Sequence, residues 1–111
     1  MDVPEITPTA LSGRLSSDAS SRPALLDVRF EEERQTVSLP DSLWVPLPEL
    51  PGRADEVLEA VAGRPLVVYC HHGVRSRNAA SLLRSLGVDA SSLAGGIDRY
   101  ALEVDPALPR Y

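Results

Sequence analysis

The chain has 111 residues, enough for one domain with a modest core and no second one. Its apolar fraction of 43% and charged fraction of 24% are ordinary for a folded protein, which excludes general disorder. The net charge of −5 excludes a broad nucleic-acid footprint and requires a local cationic pocket for any anionic substrate. In chain order, Thr7-Pro8-Thr9 is a helix-opening signal, and Leu11 and Leu15 place an amphipathic helix over 9–16. Residues 16–23 are polar and predict a loop. Ala24-Leu25-Leu26-Asp27-Val28 predicts a buried strand that delivers Asp27 and Arg29 to one end of a sheet. One helical turn is expected over 31–34, a short strand over 43–45, and a loop punctuated by Pro48, Pro51 and Gly52.

Val57, Leu58 and Val61 recur at helical spacing and predict a helix over 53–62, closed by Gly63. Leu66-Val67-Val68-Tyr69-Cys70 is the strongest strand pattern, a continuous apolar run suited to a central parallel strand covered on both faces. A loop over 71–75 follows, then a helix with Ala79, Ala80, Leu83 and Leu86 on one face, closed by Gly87. A weaker strand over 88–93, a turn at Gly95-Gly96, a short helix over 97–102 and an extended segment with Pro106 and Pro109 complete the chain. The alternation of strands and helices predicts an α/β fold with a parallel sheet, and such sheets bind ligands at the carboxyl ends of their strands. Asp27, Arg29 and Cys70 thus share one rim.

The chemistry concentrates in Cys70-His71-His72-Gly73-Val74-Arg75-Ser76, between a buried strand and a helix. A loop in this position turns backbone N–H groups inward, and the following helix adds its positive end, which makes an anion cradle. Gly73 permits a backbone conformation closed to other residues. A cysteine at the mouth of this cradle is a candidate nucleophile, and Arg75 adds a cation for an oxyanion. Ser76 is either the cap of its helix or a ligand contact. Arg29 either contacts ligand or pairs with Asp27 or Glu32 to brace the rim. Adjacent histidines seldom converge on one ion, so no metal and no cofactor is predicted. All eleven basic residues are arginine, which removes lysine Schiff-base chemistry. Cys70 is the sole cysteine, no segment is apolar enough to span a membrane, and Met1 to Glu5 lack signal-peptide character. The expectation is a single cytoplasmic domain over 1–111.

The cysteine, four residues, arginine and serine of this loop resemble the active-site loop of the rhodanese family. Asp27-Val28-Arg29 matches that family's first strand-end signature, and Leu93-Ala94-Gly95-Gly96-Ile97 its late double-glycine turn. The resemblance covers nearly the whole chain. It implies a three-layer fold with a mainly parallel sheet of about five strands between helices. It also implies a sulfurtransferase in which Cys70 carries sulfur as a persulfide. The amides of His71, His72, Gly73, Val74 and Arg75, with Ser76, would then hold the outer sulfur. Arg75 and Arg29 would contact an anionic donor such as thiosulfate, with Asp27, Gly95 and Gly96 as support. Two positions depart: Val37-Ser38-Leu39-Pro40-Asp41 replaces a glycine-rich turn, and Tyr100 stands where tryptophan is usual. Residues 104–111 resemble the ending of rhodanese domains fused behind ubiquitin-like-protein adenylyltransferases. That ending implies a sulfur-carrier protein as acceptor, and the sulfurtransferase resemblance a persulfide donor protein as an alternative to thiosulfate. The competing expectations are a non-catalytic or redox-sensing module and a cysteine phosphatase or arsenate reductase. The latter have a loop one residue longer, built for a tetrahedral oxyanion.

Overall fold

Five strands and five α-helices alternate among the described residues, 3–111, of the computed structural model; Met1 and Asp2 of the acidic opening lie outside them. They are β1 (Glu5–Ile6), α1 (Pro8–Leu15), β2 (Ala24–Asp27), α2 (Glu31–Thr36), β3 (Leu43–Trp44), α3 (Leu50–Val61), β4 (Leu66–Tyr69), α4 (Val74–Ser85), β5 (Ala90–Leu93) and α5 (Gly96–Glu103). The strands form one sheet in the order β1-β5-β4-β2-β3, and every pairing is parallel. No helix among the described residues is long and apolar enough to cross a membrane.

The two-residue period of β2 and β4 divides their side chains between two cores. Leu26, Val68 and Cys70 face Leu50, Val57, Val61, Ala80 and Leu83 of α3 and α4. Leu25, Val67 and Tyr69 face Leu11, Ile97 and Tyr100 of α1 and α5. This is the predicted three-layer arrangement, and it explains why the two strands read as continuous apolar runs: both faces are covered. Each fully buried Leu in these layers contributes about 1.5–3 kcal/mol of transfer free energy. Tyr100, the aromatic in the tryptophan position, is buried in the second core.

Three local departures from the sequence expectation have physical reasons. β1 is not predicted, because two residues carry no periodicity; Glu5 and Ile6 become a strand only by pairing with Ser92 and Leu93. α3 starts at Leu50, so Pro51 and Gly52 belong to the helix and not to the loop. A proline is tolerated in a first turn, where its missing N–H has no acceptor in any case. α4 starts at Val74, which shortens the loop after Cys70. The altered turn Val37–Asp41 buries Val37 and Leu39 and places Asp41 at φ 58. Its anchor is Tyr69, whose phenol oxygen accepts the Leu39 N–H at 3.1 Å and lies 2.9 Å from Ser42 Oγ.

Candidate active site

β4 ends one residue before Cys70, and β2 ends at Asp27, paired with Tyr69 in register. The parallel sheet therefore brings Asp27, Arg29 and Cys70 to one rim, as the strand patterns imply. Beyond Cys70 the chain turns at once into α4. Gly73 takes φ 106 at the cap position, a left-handed conformation that a side chain would strain. That turn aims the Gly73 N–H at Cys70 Sγ, 3.1 Å away. The Ser76 N–H approaches the same sulfur at 3.4 Å, and the thiol can donate to Ser76 Oγ at 3.4 Å. Ser76 is the third residue of α4 and not its cap; its fully buried hydroxyl turns inward and meets Ser92 Oγ at 2.7 Å. Two amides at the N-terminus of α4, without helical acceptors, thus point at a buried sulfur and are placed to donate to an anionic group held there.

α5 fixes the back of this loop. The Ile97 N–H donates to the Cys70 carbonyl at 2.9 Å and the Asp98 N–H to the His71 carbonyl at 3.2 Å. Gly96, at φ 66, lies so close that a Cβ there would run into the backbone of Cys70 and His71. Gly96→Ala is expected to destabilise the fold by about 2–4 kcal/mol, combining left-handed strain with overpacking. A urea titration measures this; a loss below about 1 kcal/mol contradicts the close approach. A Cβ at Gly95, φ 72, would clash with the Cβ and Cδ of Arg99, so that position too is strained by a side chain.

Arg29 is fully buried and has no free N–H. Nε and Nη2 hold both Asp27 oxygens at 2.9 and 2.8 Å, Nη2 also reaches the Val37 carbonyl, and Nη1 reaches the Glu33 carbonyl and Tyr111 Oη. Every donor of the guanidinium is engaged. Of the two sequence expectations for Arg29, the rim brace fits this geometry and ligand contact does not. Asp27 also accepts the Arg29 N–H at 2.9 Å and faces Arg34 at 3.3 Å, the role of a buried acceptor.

Arg75 is half-buried, and its guanidinium does not point into the cradle unpaired. Nη1 and Nη2 hold Glu33 Oε1 and Oε2 at 2.7 and 2.8 Å, with the Phe30 ring 5.8 Å from the guanidinium carbon. The Arg75 hydrogen bonds bring the Glu33 carboxyl down to about 2, against the opposing pull of burial. Tyr111 closes the group: its hydroxyl donates to Glu33 Oε2 at 2.7 Å and accepts from Arg29. Burial first, and the bond to Glu33 with it, keeps that phenol protonated, pushed up to about 12.

His71 and His72 stack at 3.9 Å, and Tyr111 stacks on His71 at 4.0 Å. Burial, then the neighbouring His72, holds His71 below its ordinary value. Its Nε2 is buried without a partner. His71, His72 and Asp98 bring ligand atoms within 4.8 Å of one another. The rings are only 20° from parallel, so their in-plane lone pairs run side by side and do not meet on one ion. Asp98 is in addition bonded to Arg110 at 2.9 Å. Val74 is exposed at the mouth.

Sequence patterns miss Ser92, Glu33, Tyr69 and Tyr111. Glu33 sits in a run of three glutamates that reads as a solvated helix turn, and Tyr111 in an extended segment. Only the fold brings them to the rim.

The model of the rhodanese-like domain matches residues 7–103. The adenylyltransferase and sulfurtransferase UBA4 of Yarrowia lipolytica is 34% identical over 96 residues, covering 86% of this chain and 24% of that protein. The chain spans about a fifth to a quarter of the length of the curated relatives it matches first. A rhodanese-related protein of Thermoplasma volcanium superposes with a TM-score of 0.79 at 28% identity, covering 91% of this chain and 93% of that one. The human single-domain sulfurtransferase TSTD1 superposes with a TM-score of 0.72 at 28% identity, covering 92% and 98%. With its parallel five-stranded sheet and the loop from Cys70 to Ser76 at the strand ends, the chain belongs to the rhodanese-like domain family.

Proposed function

We propose that this domain is a sulfurtransferase that carries sulfane sulfur on Cys70 as a persulfide. The observation that carries the reading is the convergence of the Gly73 and Ser76 amides and the Ser76 hydroxyl on Cys70 Sγ. Relatives named as sulfurtransferases support it. In the first step the Cys70 thiolate attacks the outer sulfur of the donor. A new S–S bond forms, the donor's own bond to that sulfur breaks, and its electron pair leaves with the donor residue, which is sulfite in the case of thiosulfate. In the second step an acceptor nucleophile takes the outer sulfur and the thiolate of Cys70 is restored. Cyanide becomes thiocyanate in this way, a thiol becomes a persulfide, and a sulfur-carrier protein is the macromolecular acceptor. No external oxidant or reductant enters, and ping-pong kinetics follow from the covalent intermediate. Amides and hydroxyls stabilise the outer sulfur anion without proton transfer. A thiol nucleophile has to be kept reduced, so the reading includes a cytoplasmic setting.

The phosphatase alternative is disfavoured by two observations. Only four residues separate Cys70 from Arg75, and Arg75 is turned to Glu33. The test is intact mass after incubation with thiosulfate, a thiosulfonate or an alkyl persulfide. A gain of one sulfur atom is expected, lost again on adding cyanide. No gain with any of these donors contradicts the proposal.

A further inference from the structure

The loop from Cys70 to Ser76 contains one arginine, and its charge is already spent inside the protein. Arg75 is held by both oxygens of Glu33. Glu33 is in turn saturated. Oε1 also accepts the Phe30 N–H at 3.1 Å and Oε2 the Tyr111 hydroxyl at 2.7 Å, so four donors occupy the carboxylate. A side chain bonded four ways, with 17% of its surface exposed, is a fixed part of the rim. Of the other guanidinium groups near the rim, Arg29 and Arg34 are committed to Asp27 and Arg110 to Asp98, whereas Arg77 at the outer face of α4 is exposed and outside the cradle's hydrogen bonds. Beside the paired Arg75 stand two exposed apolar side chains, Phe30 and Val74. Such a mouth offers hydrogen bonds to one sulfur atom but little compensation for a second negative charge on the donor.

We propose that Glu33 determines donor specificity. By withdrawing Arg75 from the cradle it sets the site for sulfane donors that carry a single negative charge, alkyl or protein-bound persulfides, ahead of dianionic thiosulfate. Tyr111 is the positioning residue that braces Glu33 against Arg75. The inference rests on the sulfurtransferase reading and adds to it which donor the site accepts. Glu33 stays ionised far into acid, so ordinary changes of pH do not release Arg75.

The test compares thiosulfate with methanethiosulfonate, which has the same transferable sulfur and one charge less. In each case Cys70 takes the outer sulfur, and the electron pair of the broken S–S bond leaves on sulfite or on methanesulfinate. Glu33→Gln keeps the shape of the side chain and removes its charge. It is expected to lower KM for thiosulfate and raise kcat/KM for it about tenfold relative to methanethiosulfonate, a preference of ~1.4 kcal/mol. Tyr111→Phe, which loosens the brace on Glu33 and takes one acceptor from Arg29, is expected to move the ratio two- to threefold the same way. Adding Arg75→Ala to Glu33→Gln must abolish the gain, because the gain comes from the freed guanidinium. Should Glu33→Gln fail to fold, Tyr111→Phe alone decides. A donor ratio within about 1.5-fold of the parent in the folded variants, or a shift toward methanethiosulfonate, overturns the proposal. These outcomes are distinct from failure of the sulfurtransferase reading, in which the unaltered protein gains no sulfur by mass from either donor. That result sinks both.

Discussion

Cys70→Ser is expected to reduce sulfur transfer to cyanide by at least about a thousandfold while the protein stays folded. The loss is large because the intermediate itself disappears. A serine hydroxyl is not ionised near neutral pH, and its oxygen cannot form the exchangeable S–S bond on which both steps depend. The cradle survives the exchange. The Gly73 and Ser76 N–H groups that point at Sγ can donate to Oγ, and Ser76 Oγ remains paired with Ser92. A stability change of about 1 kcal/mol or less is therefore expected. Steady-state thiocyanate formation and a parallel urea titration measure the two effects. Residual turnover above about one per cent would move the sulfur off Cys70 and on to some other group. Collapse of the fold would show that Cys70 is chiefly a packing residue.

The largest expected stability effect lies at Asp27, which shares the rim with Cys70 but enters no step of the proposed chemistry. Asp27 and Arg29 are both completely buried, joined by two parallel hydrogen bonds. Removing the carboxylate in Asp27→Ala leaves a guanidinium enclosed without its counter-charge, at a cost of about 3–5 kcal/mol. It also frees the Arg29 N–H and one bond of Arg34. A domain of this size holds about 5–15 kcal/mol in total, so about a fifth or more of its stability is at stake. The urea midpoint should fall accordingly with an unchanged slope. Combining Asp27→Leu with Arg29→Met removes both charges at similar volume and is expected to cost less than Asp27→Ala alone. If Asp27→Ala costs under about 1 kcal/mol, the pair is not the brace of the rim.

These two residues differ in how far the sequence reveals them. Cys70 follows four apolar residues and precedes a glycine-containing loop, so both its strand-end position and its candidacy as a nucleophile are legible from local order. Asp27 and Arg29 are visible as a strand-end pair, but whether the arginine faces ligand or carboxylate depends on its surroundings. The surroundings are Val37, Glu33 and Tyr111, up to 82 residues away in the chain. Ser76 shows the same division. Its spacing from Cys70 places it in the loop, yet only its location as the third residue of α4 turns the hydroxyl toward sulfur and away from a capping role. Gly96 was legible as a turn glycine; that it presses on the backbone of Cys70 and His71 was not.

By itself the sequence determined the α/β alternation, the buried character of β2 and β4, the common rim and the place of Cys70 at a strand end ahead of a short loop. Those follow from periodicity, from apolar runs and from loop spacing, which act over a few neighbouring residues. The tertiary structure decided β1, the start of α3, the buried partnership of Ser76 with Ser92, and above all the allegiance of the arginines. Arg75 and Arg29 are equally cationic in sequence. Which anion each serves is a matter of distance across the folded chain, and charge partners chosen by distance leave no periodic trace in the order of residues.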